Sequence, residues 1–182
     1  MNRAQLEHVI RAAATIAGDD EIVVIGSQAI LGRHPDAPSE LCVSADVDLY
    51  PRHHPDRADL VEGSIGELSP FHEAFGYYAQ AVGPATAVLP ERWDDRLVAV
   101  PTAAGTGLCL EPHDLAISKY VAGREKDRDY LRTAIRHGLL SREILLGRLA
   151  GTPLEPQQRE RLRRAVEGDF ADTPTPPPAG SG

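Results

Sequence analysis

Two aspartates one residue apart, in the run Ala45-Asp46-Val47-Asp48-Leu49, follow a β-branched segment that ends in a turn, Val23-Val24-Ile25-Gly26-Ser27. In an extended strand successive side chains point to opposite faces, so Asp46 and Asp48 project to one side while Val47 and Leu49 turn toward a core. Carboxylates about 7 Å apart along a strand can share divalent cations. Gly26 lets the backbone pass close to a ligand, and a helix starting at Ser27 would aim free N–H groups at a phosphate. Asp46 and Asp48 are therefore the candidate metal ligands, and Gly26 and Ser27 the candidate phosphate contacts. Gln28 and Arg33 can assist from the same helix. Each feature has a plainer reading alone: alternating aspartates make a solvated face on an edge strand, and isolated glycines mark turns. Their combination points to chemistry on a metal-bound triphosphate.

Further along, Lys119 lies on an otherwise apolar helical stretch beside Ile117, Tyr120 and Val121. An unpaired ammonium is costly to bury there, so it must reach water or meet an anion. Asp127, at the start of the next helix, can orient Lys119, accept a proton from an attacking hydroxyl, or stabilise the helix N-terminus as acids commonly do. The histidines carry less. His53 and His54 are adjacent and point in different directions, and His72, His113 and His137 have no partner at His-x-x-x-His spacing, so all five read as structural. Trp93 and the Tyr77-Tyr78 pair can stack on a base, although packing explains them more simply.

The order of these elements resembles the bacterial nucleotidyltransferase-like superfamily, with its Gly-Ser turn and Asp-x-Asp strand. More narrowly, Pro112-His113-Asp114-Leu115-Ala116-Ile117-Ser118-Lys119 followed by Ala122-Gly123-Arg124-Glu125-Lys126-Asp127 is similar to the AbiEii-type and MenT-like toxin branch. The similarity spans roughly residues 20–150. It implies that Asp46, Asp48, Lys119 and Asp127 are catalytic, that Lys119 contacts nucleotide phosphates, and that Mg2+ is the cofactor. It further implies a nucleoside triphosphate as donor, a tRNA 3′ end as acceptor, and a cognate antitoxin as partner. Two alternatives stay open: an enzyme of the same fold that nucleotidylates protein hydroxyls, and a non-catalytic nucleotide- or partner-binding domain. Many superfamily members carry a third carboxylate on a later strand, and Thr86-Ala87-Val88-Leu89, the candidate segment here, has none.

The elements that must position these groups follow from periodicity. Residues 2–17 carry apolar positions at helical spacing and stop at Gly18. Strands are expected over Glu21–Ile25, from about Leu41 to Tyr50, over Tyr77–Val82, Thr86–Leu89, Arg96–Val100 and Gly107–Leu110. A helix is expected over residues 56–68 with Asp56 as N-cap, and a short one from Ser69-Pro70 to Phe75. Helices follow from Pro112 to near Gly123, from Lys126 to Arg136, after a Ser141 cap, and over residues 156–167. The expected fold is α/β: a small mixed sheet forming a nucleotidyltransferase core over about 20–111, with a C-terminal helical section over about 112–170, together one domain over 1–170. Residues 171–182 read as a disordered Pro-rich tail.

Composition fits this picture. A chain of 182 residues with 42% hydrophobic content can bury one real core. No apolar run is long enough to span a bilayer and no leader pattern is seen, so a cytoplasmic protein without membrane partners is expected. Cys42 and Cys109 read as buried free thiols in strand-like surroundings. The formal charge of -8 argues against broad nucleic-acid binding. Local cationic runs remain, from Arg124 to Arg136 and from Arg159 to Arg164. They read equally as an RNA-end contact or as solvated helix faces.

Overall fold

The computed structural model describes residues 1–173, and the Pro-rich tail expected after residue 170 lies largely outside them. Two compact units divide the chain. The first comprises residues 1–87 and 92–111, the second residues 88–91 and the chain from Pro112 onward. Among the described residues there are five strands in one mixed sheet and eight α-helices, an α/β fold as the pattern predicts.

In the first unit, helix α1 (Arg3–Ala17) starts at a capping box built on Asn2 and Gln5 and stops where Gly18 adopts φ 60°, a left-handed conformation natural to glycine. Strand β1 (Glu21–Val24) leads into a 3-10 turn over Ser27–Ala29 and the short helix α2 (Ile30–Arg33). Strand β2 (Asp46–Pro51) follows. It starts five residues later than expected, because Ser39–Leu41 form a 3-10 turn instead of extending. Helix α3 runs from Ala58 to Ile65, after a 3-10 turn over Pro55–Arg57. Asp56 is therefore not its cap; it sits inside that turn, and Pro55 fixes the backbone there. Helix α4 (Pro70–Phe75) is capped by Ser69, and β3 (Tyr78–Ala81), β4 (Val98–Pro101) and β5 (Thr106–Cys109) complete the sheet.

Thr86–Leu89 is not a strand. Despite its β-branched composition it follows Gly83-Pro84, whose turn breaks the extended path, and Val88 is exposed. Any third strand acid must therefore lie on the five strands of the sheet. Among them, acids occur only at Glu21, at the start of β1, and at Asp46 and Asp48 on β2.

Sheet order is β3-β2-β1-β5-β4, with β1 antiparallel to β2 and parallel to β5, β2 parallel to β3, and β4 antiparallel to β5. Strand β2 thus has a neighbour on each side, which removes the edge-strand reading of its aspartates. Register puts Ile22, Val24, Val47, Leu49, Gly107 and Cys109 on one face, and α1 packs there: a methyl on Gly107 would lie 2.4 Å from Ile10 Cδ1. The opposite face carries Val23, Leu108, Asp46 and Asp48.

In the second unit, α5 (Pro112–Ala122), α6 (Glu125–Arg136), α7 (Arg142–Ala150) and α8 (Pro156–Asp172) form a helical bundle. Glu91 N–H donates to the Gly151 carbonyl and joins residues 88–91 to it. Helix α8 extends beyond the predicted 156–167. His113 Nε2 accepts from Ser141 N–H and fixes the start of α7, a structural role consistent with the sequence reading. Cys42 and Cys109 are both free and buried; Cys42 lies after a 3-10 turn and not in a strand. No helix among the described residues is long and apolar enough to cross a membrane.

Candidate active site

Period-two alternation places Asp46 and Asp48 on one face of β2, both half-buried, between fully buried Val47 and Leu49. The ladder holds this segment firmly. Ile25 N–H donates to the Asp48 carbonyl at 3.0 Å, and Tyr78 N–H donates to the Ala45 carbonyl at 3.0 Å. Hence the turn after β1 lies beside the first residues of β2.

Gly26 is where that proximity becomes a chemical constraint. A Cβ at this position would lie 1.9 Å from Asp48 Oδ2, 2.7 Å from its Cγ and 2.8 Å from its Cβ. The Gly26 backbone has φ -85°, which any residue can adopt, so the need for glycine is one of space. Asp48 occupies the volume a side chain would take, and the Gly-Ser turn and the second aspartate form one surface. Ala at position 26 is expected to push the Asp48 carboxylate aside and, as an overpacked contact, to cost about 1–3 kcal/mol. Thermal unfolding together with Mn2+ titration of Gly26→Ala checks this: a variant with unchanged melting temperature and metal affinity would contradict it.

Three further groups support the carboxylates. Ser44 Oγ donates to Asp46 Oδ1, and the Gln28 amide, 1% exposed, donates from Nε2 to the Ser44 carbonyl at 3.3 Å. Parallel pairing with β3 sets Tyr78 beside Asp46 and Gln80 beside Asp48, on the same face. Burial, with the charges of Asp46, Glu67, Asp48 and Glu62, pushes the Tyr78 phenol above its ordinary value, so it is a neutral donor next to the acids. Its ring packs against His72, 4.5 Å between centroids. Tyr77 points the other way, into a cluster with His8, Phe71 and Phe75, so it is a packing residue. Ser44 had a readable signal, a hydroxyl two residues before an acid; Tyr78 and Gln80 had none, because their placement depends on a long-range pairing.

The oxygen-only donor set of Asp46 and Asp48, both half-exposed, fits a hard divalent cation. A second group of possible ligands lies elsewhere in the first unit. Side-chain atoms of Asp19, Asp20 and His53 come within 4.8 Å of one another. This group sits at the start of β1 and the end of β2, opposite the Gly26 end, about 17 Å away at the rise of five extended residues. Buried Asp19 already accepts from the backbone N–H groups of Glu21, His53 and His54 and pairs with His53 Nδ1 at 2.9 Å. Its oxygens are occupied in clamping two turns together.

That clamp titrates. Burial opposes the Asp19 charge, but the hydrogen bonds from His53, Glu21 and His54 outweigh it and hold the carboxyl below its ordinary value. The same bond to Asp19 raises His53 above its ordinary value of 6.5. A raised imidazole stabilises the fold fully below its unfolded pKa, and the contribution is lost as pH rises through the folded one. A depressed carboxyl stabilises above its unfolded value and loses this as pH falls through the folded one. The melting temperature of the chain is therefore expected to fall as pH rises from about 6.5 upward, and His53→Ala to flatten that slope. An identical pH profile in the variant would refute the assignment.

In the second unit, Lys119 and Asp127 form a buried pair: Lys119 Nζ donates to Asp127 Oδ1 at 3.1 Å, with residue exposures of 9% and 4%. The ammonium also lies 4.3 Å above the Tyr130 ring centroid. The contact is one through which Asp127 could orient Lys119, and Asp127 also lies in the first turn of α6. Asp127 Oδ2 is buried and has no hydrogen-bond partner among the described residues. Asp46, Asp48, Gly26 and Ser27 are thus brought together within the first unit, and Lys119 and Asp127 within the second.

No curated protein and no solved structure matches the chain significantly. One family does, and its description agrees with a glycine turn seated against paired strand acids. Residues 4–167 match the family described as "Nucleotidyltransferase of unknown function (DUF6036)", and since that span is most of the 182 residues, the chain belongs to this nucleotidyltransferase family.

Proposed function

We propose that this chain is a Mg2+-dependent enzyme that moves a nucleoside monophosphate from a nucleoside triphosphate to an acceptor hydroxyl. The hydroxyl oxygen bonds to the α-phosphorus as the bond to the bridging oxygen breaks; pyrophosphate leaves and the hydroxyl proton passes to solvent. The observation that carries this reading is the contact between Gly26 and Asp48: the carboxylate fills the space a side chain at position 26 would take, so the Gly-Ser turn lies directly against a metal-type carboxylate. Asp46 and Asp48 would hold Mg2+, which when bound neutralises phosphate oxygens. Gly26 and Ser27 take the phosphate chain. Ser44 and Gln28 fix the Asp46 rotamer, and Lys119, oriented by Asp127, supplies a compact cation for the phosphates.

The acceptor we favour is a tRNA 3′ end, which makes the chain the toxin of a toxin–antitoxin pair with a cognate antitoxin as partner. Support comes from the resemblance of the Lys119 and Asp127 segments to AbiEii-type and MenT-like toxins and from the cationic run Arg124 to Arg136. Incubation with each labelled triphosphate, Mg2+ and total tRNA tests it. Label on tRNA that disappears with Asp46→Asn supports the reading; label on protein instead makes the chain a protein-nucleotidylating enzyme. No transfer to any acceptor by the folded protein would reduce it to a binding domain.

A further inference from the structure

A cavity of about 540 Å3 lies wholly within the helical unit, bounded by the end of α5 and by faces of α6 and α8. Its volume is in the range of pockets that take small organic ligands and exceeds what a bare phosphate fills. Four cations border it, Lys119, Arg128, Arg132 and Arg161, against two acids, Asp169 and Asp172. This inverts the balance of a chain in which acids outnumber bases 27 to 19.

The acids are also partly spent. Asp169 accepts from the Tyr120 hydroxyl at 3.1 Å and from Arg132 Nε at 3.3 Å. Tyr120 is held protonated by burial and by the Asp169 charge, so it remains the donor in that bond. The side chains of Arg128 and Arg161, by contrast, have no ion-pair or hydrogen-bond partner among the described residues. The same cavity has an apolar part of its lining, with Leu131 and Leu162 largely buried and Ala165 more exposed. Uncommitted planar forks and apolar side chains lining one cavity suit a ligand with a phosphate at one end and a flat ring at the other. The fork binds phosphate in bidentate fashion, and its face stacks on a base.

We propose that this cavity binds a nucleoside phosphate, with Arg128 and Arg161 on the phosphate and the base over Leu131 and Leu162, without need of a metal. The ligand is either a free mononucleotide or the terminal nucleotide of an RNA strand, which present the same chemistry. The inference goes beyond the transfer reading, and because Lys119 is common to both, its test keeps them apart.

Amide NMR titration of the full chain in EDTA, on wild type and on Asp46→Asn, uses AMP, adenosine, inorganic phosphate and a 5′-phosphorylated RNA pentamer. AMP is expected to shift the Gly123, Leu131 and Ala165 amides saturably in both proteins, with adenosine and phosphate at least roughly tenfold weaker. The double variant Arg128→Gln, Arg161→Gln, with amide dispersion intact, should lose at least about tenfold in AMP affinity. Tighter binding of the pentamer assigns an RNA end as the source, and tighter binding of AMP a free nucleotide. No shifts in α5, α6 and α8 at millimolar AMP overturn the proposal. Shifts confined to Gly26, Ser27 and β2, seen only in a parallel titration with Mg2+ in place of EDTA, also remove it, while leaving the transfer reading standing. Cavity binding in a protein that transfers nothing does the reverse.

Discussion

Replacing Asp48 with Asn is expected to lower nucleoside monophosphate transfer roughly 10²- to 10⁴-fold while leaving the chain folded. The substitution is isosteric and the side chain is half-exposed, so the amide fits the space the carboxylate fills beside Gly26. What is lost is a ligand for a cation that neutralises developing charge on the phosphates. Such stabilisation is worth about 3–5 kcal/mol, and each 1.4 kcal/mol is about a factor of ten in rate. Asp46→Asn should fall in the same range, although its amide oxygen can still accept from Ser44 Oγ. Both variants together should lose little more than either alone, since groups that share one ion act as a unit. Single-turnover transfer with Mn2+ titration decides the matter. An Asp48→Asn protein that keeps more than about a tenth of the rate and an unchanged metal affinity would defeat the proposed site.

The order in which this site could be read follows the range of the interactions that build it. Asp46 and Asp48 are legible because a strand alternates over two residues, and the α1 boundaries because Asn2 and Gly18 act within one turn of the helix. Gly26 was legible as a turn, but the reason it must be glycine is its contact with Asp48, 22 residues away, which no local pattern carries. Tyr78 and Gln80 join the site through parallel pairing across the α3–α4 connection, and a register of that kind is set by the packed sheet and not by neighbours in the chain. The same limit explains Thr86–Leu89, where β-branched composition suggested a strand that has no partner to pair with. The Asp19–His53 clamp is illegible in the sequence for a related reason: the partner of His53 is reached only when β1 and β2 align.

Lys119 offers the sharpest separation of a structural from a chemical role. Its ammonium is buried against Asp127, whose second oxygen already has no hydrogen-bond partner among the described residues. Truncation to Ala leaves that carboxylate buried without its cation, and breaking such a pair by removing one member costs about 3–5 kcal/mol. Asp127→Ala removes the carboxylate that faces the buried ammonium and should also destabilise the fold, by less where the Tyr130 ring still holds the ammonium. Replacing both, Lys119→Met with Asp127→Leu, removes the two desolvation penalties at once and is expected to recover most of the loss, since apolar groups of similar volume often match a buried ion pair. Denaturant unfolding of the four proteins yields the coupling directly. If the pair serves only the fold, the double variant regains transfer along with stability. If Lys119 contacts phosphate, the double variant is stable and still deficient by at least about tenfold, because no other group restores the cation. A double variant as unstable as the single ones would mean that the pair is not the source of the cost, and the orienting role assigned to Asp127 would fall with it.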